Sequence, residues 1–315
     1  MHPEQIQTSL GLLTELELLG NQGGNSSIYV GTLNGERVVY KSSNREDAVD
    51  RVTKEYRNLA KISSRFSDIV PTPLALDSLG TGFIMTFERG NPPRVISYEV
   101  SNSMLHFLER LMNLGDPSNP IVSFEVATDN VIEDIFGIAQ LTKRYEQICR
   151  LIHAHDLETF HSMRVFIERY EHLCNQVKLM HSLKVILSPS DFGIHNILLD
   201  EKRVSKCKFV DFEYLGWDRP EKLVSDTILH PKNVWDNGVV RSFLDGAIKL
   251  YDLDLEYLQI LLFFSKLNWT LIGIRRLIDS DNFSTELLKC VQTLEKLDFA
   301  SGISLDNTLE ILGMR

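Results

Sequence analysis

The side chains best suited to chemistry lie in Ser188-Pro189-Ser190-Asp191-Phe192-Gly193-Ile194-His195-Asn196-Ile197-Leu198-Leu199 and, shortly after, in Phe209-Val210-Asp211-Phe212-Glu213. Moving a phosphoryl group from a nucleotide to a hydroxyl needs one carboxylate at the acceptor and hard oxygen ligands for magnesium at the phosphates. Asp191 suits the first task, and Asn196 and Asp211 the second. In an extended segment Asp211 and Glu213 fall on one side, an arrangement fit for one or two magnesium ions. Asp211 also follows an apolar run, and a carboxylate leaving a buried strand needs a partner such as a cation. The plainer reading is that Asp and Asn are common turn residues and that exposed strand ends often carry acids. His195 could be read as an acid or base, but with a carboxylate already available it reads as a structural histidine that orients the loop. Ser190, His195 and Asp191 are not a nucleophilic triad, because no nucleophile elbow surrounds the serine.

Upstream, Gly20-Asn21-Gln22-Gly23-Gly24-Asn25-Ser26-Ser27 lies between two predicted strands. Gly23, Gly24, Asn25 and Ser26 let the backbone approach phosphates and offer amide donors, although a simple hairpin tip has the same composition. The stretch lacks the Gly-Lys-Ser/Thr ending of a Walker loop. Lys41 closes the next strand and Glu55 lies on the following helix, so the two could form an ion pair that aims the ammonium at phosphates. The alternative for Lys41 is an ordinary surface lysine. Asp226, in a helical pattern, is either a partner of the Asp191 loop amides or a helix-surface acid.

The elements that must position these groups fall into two textures. From Glu15 to about Glu88 the pattern is that of a small sheet: Leu16–Leu19, Ser27–Val30, an Asn34-Gly35 hairpin turn, Arg37–Lys41 and Gly82–Phe87. One amphipathic helix, Asp47–Ser63, is inserted in it. Gly90 and two prolines mark a boundary at Glu88–Pro93. Helical periodicity then dominates, over Ser97–Leu114, Phe136–Ala154, Thr159–His181, Val239–Tyr251, Tyr257–Ile278 and Thr285–Leu297. Ile197–Leu199 and Cys207–Val210 interrupt the helices as a hairpin. The fold class is therefore α+β, with residues 1–88 as an antiparallel sheet lobe and 89–315 as a larger, mainly helical lobe, and a cleft between the two is expected.

A net charge of −10 disfavours nucleic acid as a partner, since affinity for phosphate backbones comes from clustered Lys and Arg. Cys149, Cys174, Cys207 and Cys290 have no short paired spacing, which argues against a zinc knuckle or disulfide framework and for a cytoplasmic setting. Met1-His2-Pro3-Glu4-Gln5 does not read as a secretory signal. Leu258 to Ile274 is apolar but broken by Gln259, Lys266 and Asn268, so a buried helix is expected rather than a membrane span.

Taken together, these residues resemble the aminoglycoside phosphotransferase and choline kinase group, distant relatives of the protein kinases. The resemblance runs from the glycine stretch to about Pro231 and is strongest in Asp191-Phe192-Gly193-Ile194-His195-Asn196 and Val210-Asp211-Phe212-Glu213-Tyr214-Leu215-Gly216-Trp217. It implies a bilobal protein-kinase-like fold and transfer of the γ-phosphoryl group of ATP, with Mg2+, to a hydroxyl of a sugar, aminosugar or amino alcohol. Asp191 would be the catalytic base, Asn196 and Asp211 would bind magnesium, and Glu213 would assist a second ion. Lys41, supported by Glu55, would hold the α and β phosphates, and Ile84–Phe87, including Met85 and Phe87, would run beside the adenine. Asp226 matches the structural aspartate behind the catalytic loop.

One departure stands out: the family has His-Gly before its catalytic aspartate, where this chain has Pro189-Ser190. Support for the loop must then come from elsewhere, with Ser188 and Ser190 as candidates. The departure also keeps open a second reading, a nucleotide-binding pseudokinase acting as sensor or scaffold. A protein acceptor has little room, because no long segment separates Glu213 from the helix near Asp226. Trp217, Trp235, Trp269 and Tyr214 either stack on a sugar or hold a cationic amine, or belong to the core. Oligomeric state has no readable signature.

Overall fold

The computed structural model describes residues 5–20, 26–114, 138–152, 154–177, 184–200, 207–278, 283–296 and 310. It divides into two compact units, the first holding the chain up to Arg94 together with Ile194–Gly216. The second holds most of the helices.

The first unit is built on a six-stranded antiparallel sheet in the order β1-β2-β3-β4-β6-β5. Its strands are β1 (Ile6–Thr8), β2 (Gly11–Gly20), β3 (Ser26–Leu33), β4 (Glu36–Ser43), β5 (Pro73–Leu76) and β6 (Gly82–Thr86). The β3–β4 turn has Asn34 at φ 52° and Gly35 at φ 84°, the two positive angles that a tight hairpin requires. That turn fixes the register, which pairs Ile28 with Lys41 and Tyr29 with Tyr40. Across the other edge of β4, Val39 meets Met85 and Lys41 meets Phe83.

Helix α1 (Ala48–Phe66) packs on this sheet through Val52, Leu59, Ile62 and Phe66, and Glu55 lies on the same buried stripe. The i, i+3/i+4 spacing therefore forces one carboxylate into the interior, where it needs a partner. A small hairpin, β8 (Ile197–Leu199) with β9 (Cys207–Phe209), pairs Ile197 with Phe209 and Leu199 with Cys207. The segment Ile194–Gly216 packs with the sheet unit. Phe209 N–H donates to Ile69 O at 2.8 Å, Asn58 Nδ2 to Leu215 O at 3.2 Å, and Lys208 Nζ stands 2.9 Å from Glu88.

The second unit contains α2 (Tyr98–Leu114), α3 (Ile138–Cys149), α4 (Ala154–Val177), α5 (Pro220–Leu229), α6 (Val239–Tyr251), α7 (Leu255–Leu277) and α8 (Phe283–Lys296). Short strands β7 (Ile186–Ser188) and β10 (Gly216–Asp218) pair beside them. Helix ends follow local chemistry. Pro220 opens α5, Asp254 caps α7 by accepting the Tyr257 N–H, and left-handed Asp252 closes α6 with its amide on Ile248 O.

Helix α7 is the axis of the core, packing against α3, α4, α5 and α8. Tyr170 of α4 lies 6.2 Å from Phe263 and 5.7 Å from Phe264 between ring centroids. By length and composition α7 could cross a membrane, yet 72% of its most apolar window is buried against the rest of the protein. This is the buried helix expected from its interrupting polar residues. Phe263 is 1% exposed, and Phe263→Ala should lower the stability of this unit by about 3–5 kcal/mol, read from the urea unfolding transition.

Candidate active site

Lys41 is 4% exposed and Glu55 is equally buried. The Lys41 ammonium donates to Glu55 Oε1 at 2.8 Å and to Asp211 Oδ1 at 2.6 Å. Burial by itself would lower the affinity of Lys41 for its proton, but the charges of Asp211 and Glu55 outweigh it and hold the ammonium above the ordinary lysine value. Glu55 also accepts the Phe212 N–H at 3.3 Å, which ties the acidic segment to α1. Asp211 is in the left-handed region at φ 68°, strained for a residue with a side chain. Beyond it, Glu213 lies 3.4 Å from Arg51, whose guanidinium also pairs with Asp47 at 3.0 Å.

Ligand oxygens of Glu55, Asp211 and Glu213 all lie within 4.8 Å of one another. Lys41 and Arg51 are the cations paired with these three carboxylates, and Arg51 is shared with Asp47, so the acids outnumber the cations. Hard oxygen donors with surplus negative charge fit a magnesium ion. Asn196, 5% exposed, lines the same cavity as Lys41 and Asp211. That cavity has a volume of about 290 Å³. Ile28, Val39, Met85 and Leu198 give it apolar walls, and Lys41, Asn196 and Asp211 supply polar groups. Such a pocket can take a flat apolar ring and direct an anionic tail toward the cations.

The other residues singled out by sequence divide as follows. Met85 and Phe87 line the cavity, and Arg37 stacks its guanidinium 4.2 Å over the Phe87 ring. His195 lines it too. Ser26 begins β3 opposite Ser43, while Gly23, Gly24 and Asn25 lie outside the described residues. Asp226 accepts from Lys222 at 2.9 Å and from Ser265 at 2.6 Å. Its side chain is only 13% exposed, so it is neither a helix-surface acid nor, in the bonds it makes, a partner of the Asp191 loop amides.

Asp191 belongs to the second unit. Its turn is tight: Ser190 has φ 61°, its amide donates to Ser188 Oγ at 3.0 Å, and the Asp191 amide donates to Pro189 O at 2.8 Å. Of the two serines considered as loop supports, Ser188 is thus the one whose hydroxyl holds the turn. Sequence reasoning missed His230, whose Nε2 stands 3.1 Å from Asp191 Oδ1. It also missed Asn233, whose Nδ2 donates to Phe192 O at 3.3 Å.

No family model and no curated protein matches this chain. Solved structures do. Choline kinase from Cryptosporidium parvum Iowa II gives a TM-score of 0.63 at 11% identity, over 95% of this chain and 91% of its own. A putative aminoglycoside phosphotransferase from Ralstonia eutropha JMP134 gives 0.61 at 13% identity, over 95% and 92%. The aminoglycoside phosphotransferase APH(2'')-IIa, in a ternary complex with streptomycin and ATP, gives 0.58 at 16% identity, over 90% and 93%. This chain has the kinase-like fold of the choline kinases and aminoglycoside phosphotransferases.

Within that kinase-like fold, a strand lysine paired with a helix glutamate is the feature that sequence order made visible, and the geometry joins them in one buried pair. Lys41→Met leaves Glu55 buried beside Asp211 without a cation. The expected cost is about 3 kcal/mol in urea unfolding, part of it recovered in the Lys41→Met/Glu55→Gln double variant. A Lys41→Met protein as stable as the parent would reject the pair as a structural element.

Proposed function

We propose that this protein is a small-molecule kinase that transfers the γ-phosphoryl group of ATP, with magnesium, to a hydroxyl of a sugar, aminosugar or amino alcohol. The observation that carries the proposal is the buried Lys41 ammonium held between Glu55 and Asp211 at a cavity with apolar walls. A fixed cation and oxygen donors at the end of an apolar slot match a nucleotide, whose base is flat and whose phosphates are anionic. The solved structures of like fold support the same class, since they include a choline kinase, an ethanolamine kinase and an aminoglycoside phosphotransferase.

In this reading Ile28, Val39 and Met85 hold the adenine, and Lys41 binds phosphate oxygens while Glu55 keeps it aimed. Asn196, Asp211 and Glu213 hold magnesium, which supplies positive charge against the phosphates when bound. Asp191 orients the acceptor hydroxyl and takes its proton late in a loose transition state. The strained turn at Ser190 restricts where that carboxylate can point, which is useful in a group that must face one oxygen atom.

Asp191→Asn should reduce turnover by about 10²- to 10⁴-fold while binding of a fluorescent ATP analogue is unchanged. The assay is transfer from labelled ATP across a panel of sugars, aminosugars and amino alcohols, with hydrolysis of ATP by water as the baseline. Comparable turnover by the variant would remove Asp191 from the mechanism. Chelating divalent ions should abolish transfer, and magnesium should restore it. Tight ATP binding with neither transfer nor hydrolysis would favour the sensor or scaffold reading instead.

A further inference from the structure

We propose that Arg51 competes with a second divalent cation for Glu213: the guanidinium holds this carboxylate in an exchangeable ion pair, which a metal ion must displace to take Glu213 as a ligand. The inference rests on the reading of Asp211 and Glu213 as magnesium ligands.

Arg51 stands one helical turn before Glu55 on α1, so the two side chains share a face, and both meet the acidic segment that follows β9. Their attachments differ in kind. Glu55 is locked, since it is 4% exposed and accepts from Lys41 at 2.8 Å and from the Phe212 amide at 3.3 Å. Arg51 is divided between two acids. Its Nε donates to Asp47 Oδ2 at 3.0 Å and its Nη1 to Glu213 Oε2 at 3.4 Å, and the longer of these bonds is the weaker. Losing Glu213 would therefore not strand the guanidinium. Asp47, which Arg45 also approaches at 3.3 Å, would retain it, and the Tyr214 ring lies 5.5 Å from its Cζ.

The backbone around Glu213 need not move for the exchange. Helix α1 grips it on both sides, through the Phe212 amide on Glu55 and through Asn58 Nδ2, which donates to Leu215 O at 3.2 Å. Phe212 and Leu215 are themselves buried. Transfer of Glu213 from guanidinium to metal is thus a rotation of one side chain, over a short distance, because the ligand oxygens of Glu55, Asp211 and Glu213 all lie within 4.8 Å of one another. Lys41 is bonded to both Glu55 and Asp211 and stays in place, so Arg51 is the cation that can let go. A metal ion entering beside it meets like charge, and its affinity falls accordingly.

The test uses the full chain saturated with a non-hydrolysable ATP analogue and Mn2+ as the probe, with free Mn2+ read from its electron paramagnetic resonance signal and Mg2+ added to displace it. Arg51→Met should tighten the weaker Mn2+ site about 10-fold, whereas Arg51→Lys, which keeps the charge, should stay within about threefold of the parent. On a Glu213→Gln background the gain from Arg51→Met should shrink below about threefold. Asp47→Asn, at an exposed position, removes the other acid that holds Arg51 and should weaken Mn2+ binding about threefold without disturbing a buried side chain. Unchanged or weaker binding by Arg51→Met, the full gain retained on the Glu213→Gln background, or unchanged binding by Asp47→Asn would overturn the proposal. A parent protein that retains no Mn2+ beyond what the analogue binds by itself would instead remove the metal reading beneath it.

Discussion

A single ammonium group enclosed by protein sets the terms for the first unit. An unpaired buried lysine would lose its charge or unfold its surroundings, so Lys41 survives only because Glu55 and Asp211 reach it from two other elements. That requirement fixes the angle of α1 on the sheet, since Glu55 must lie on the buried stripe. It also draws in the segment after β9, since Asp211 must leave its strand in a left-handed conformation to present its carboxylate. Helix, sheet and acidic segment are thus joined through one nitrogen atom. In water such a cluster would be worth little; away from water each of its bonds is strong and each missing partner costly.

The second unit solves a different problem with different means. The core arranged around α7 is aromatic and aliphatic. Beside it lies a buried ionic group, in which α5 carries Lys222 between Asp218 and Asp226, and Ser265 of α7 closes the group. Burial raises the Asp218 carboxyl above its ordinary value, while Lys222 and the Arg219 amide pull it back. The result is a rigid helix end from which His230 and Asn233 reach the neighbouring turn.

Much of this was legible in the sequence because it rested on short-range signals. Asn34-Gly35 announced its hairpin, and Val239–Tyr251 matched its helix because Gly and Asp stand at its ends. Lys41 and Glu55 were readable as a pair because strand and helix periodicities each put one charged residue on an apolar face. The strand seen at Leu16–Leu19 runs from Gly11 to Gly20, and its first half escaped notice because the register shifts between Thr14 and Glu17, where Glu15 has φ 55°. Such a bulge breaks the alternation on which strand reading depends. Strands β1 and β5 were missed because they are short edge strands, and β5 opens with a proline. His230 was invisible for another reason: its partner is remote in the chain, and a histidine after a helix has no local pattern that names what it will touch.

Helix α7 carries a consequence for how the chain is made. On a ribosome α4 and α5 emerge before it, while α8, which covers a further side through Phe283, Leu287, Val291 and Leu294, emerges last. Until then a greasy rod that could pass for a bilayer segment has an uncovered flank. The nascent chain consequently exposes apolar surface in the interval between the synthesis of α7 and that of α8, when sticking to its neighbours is easiest.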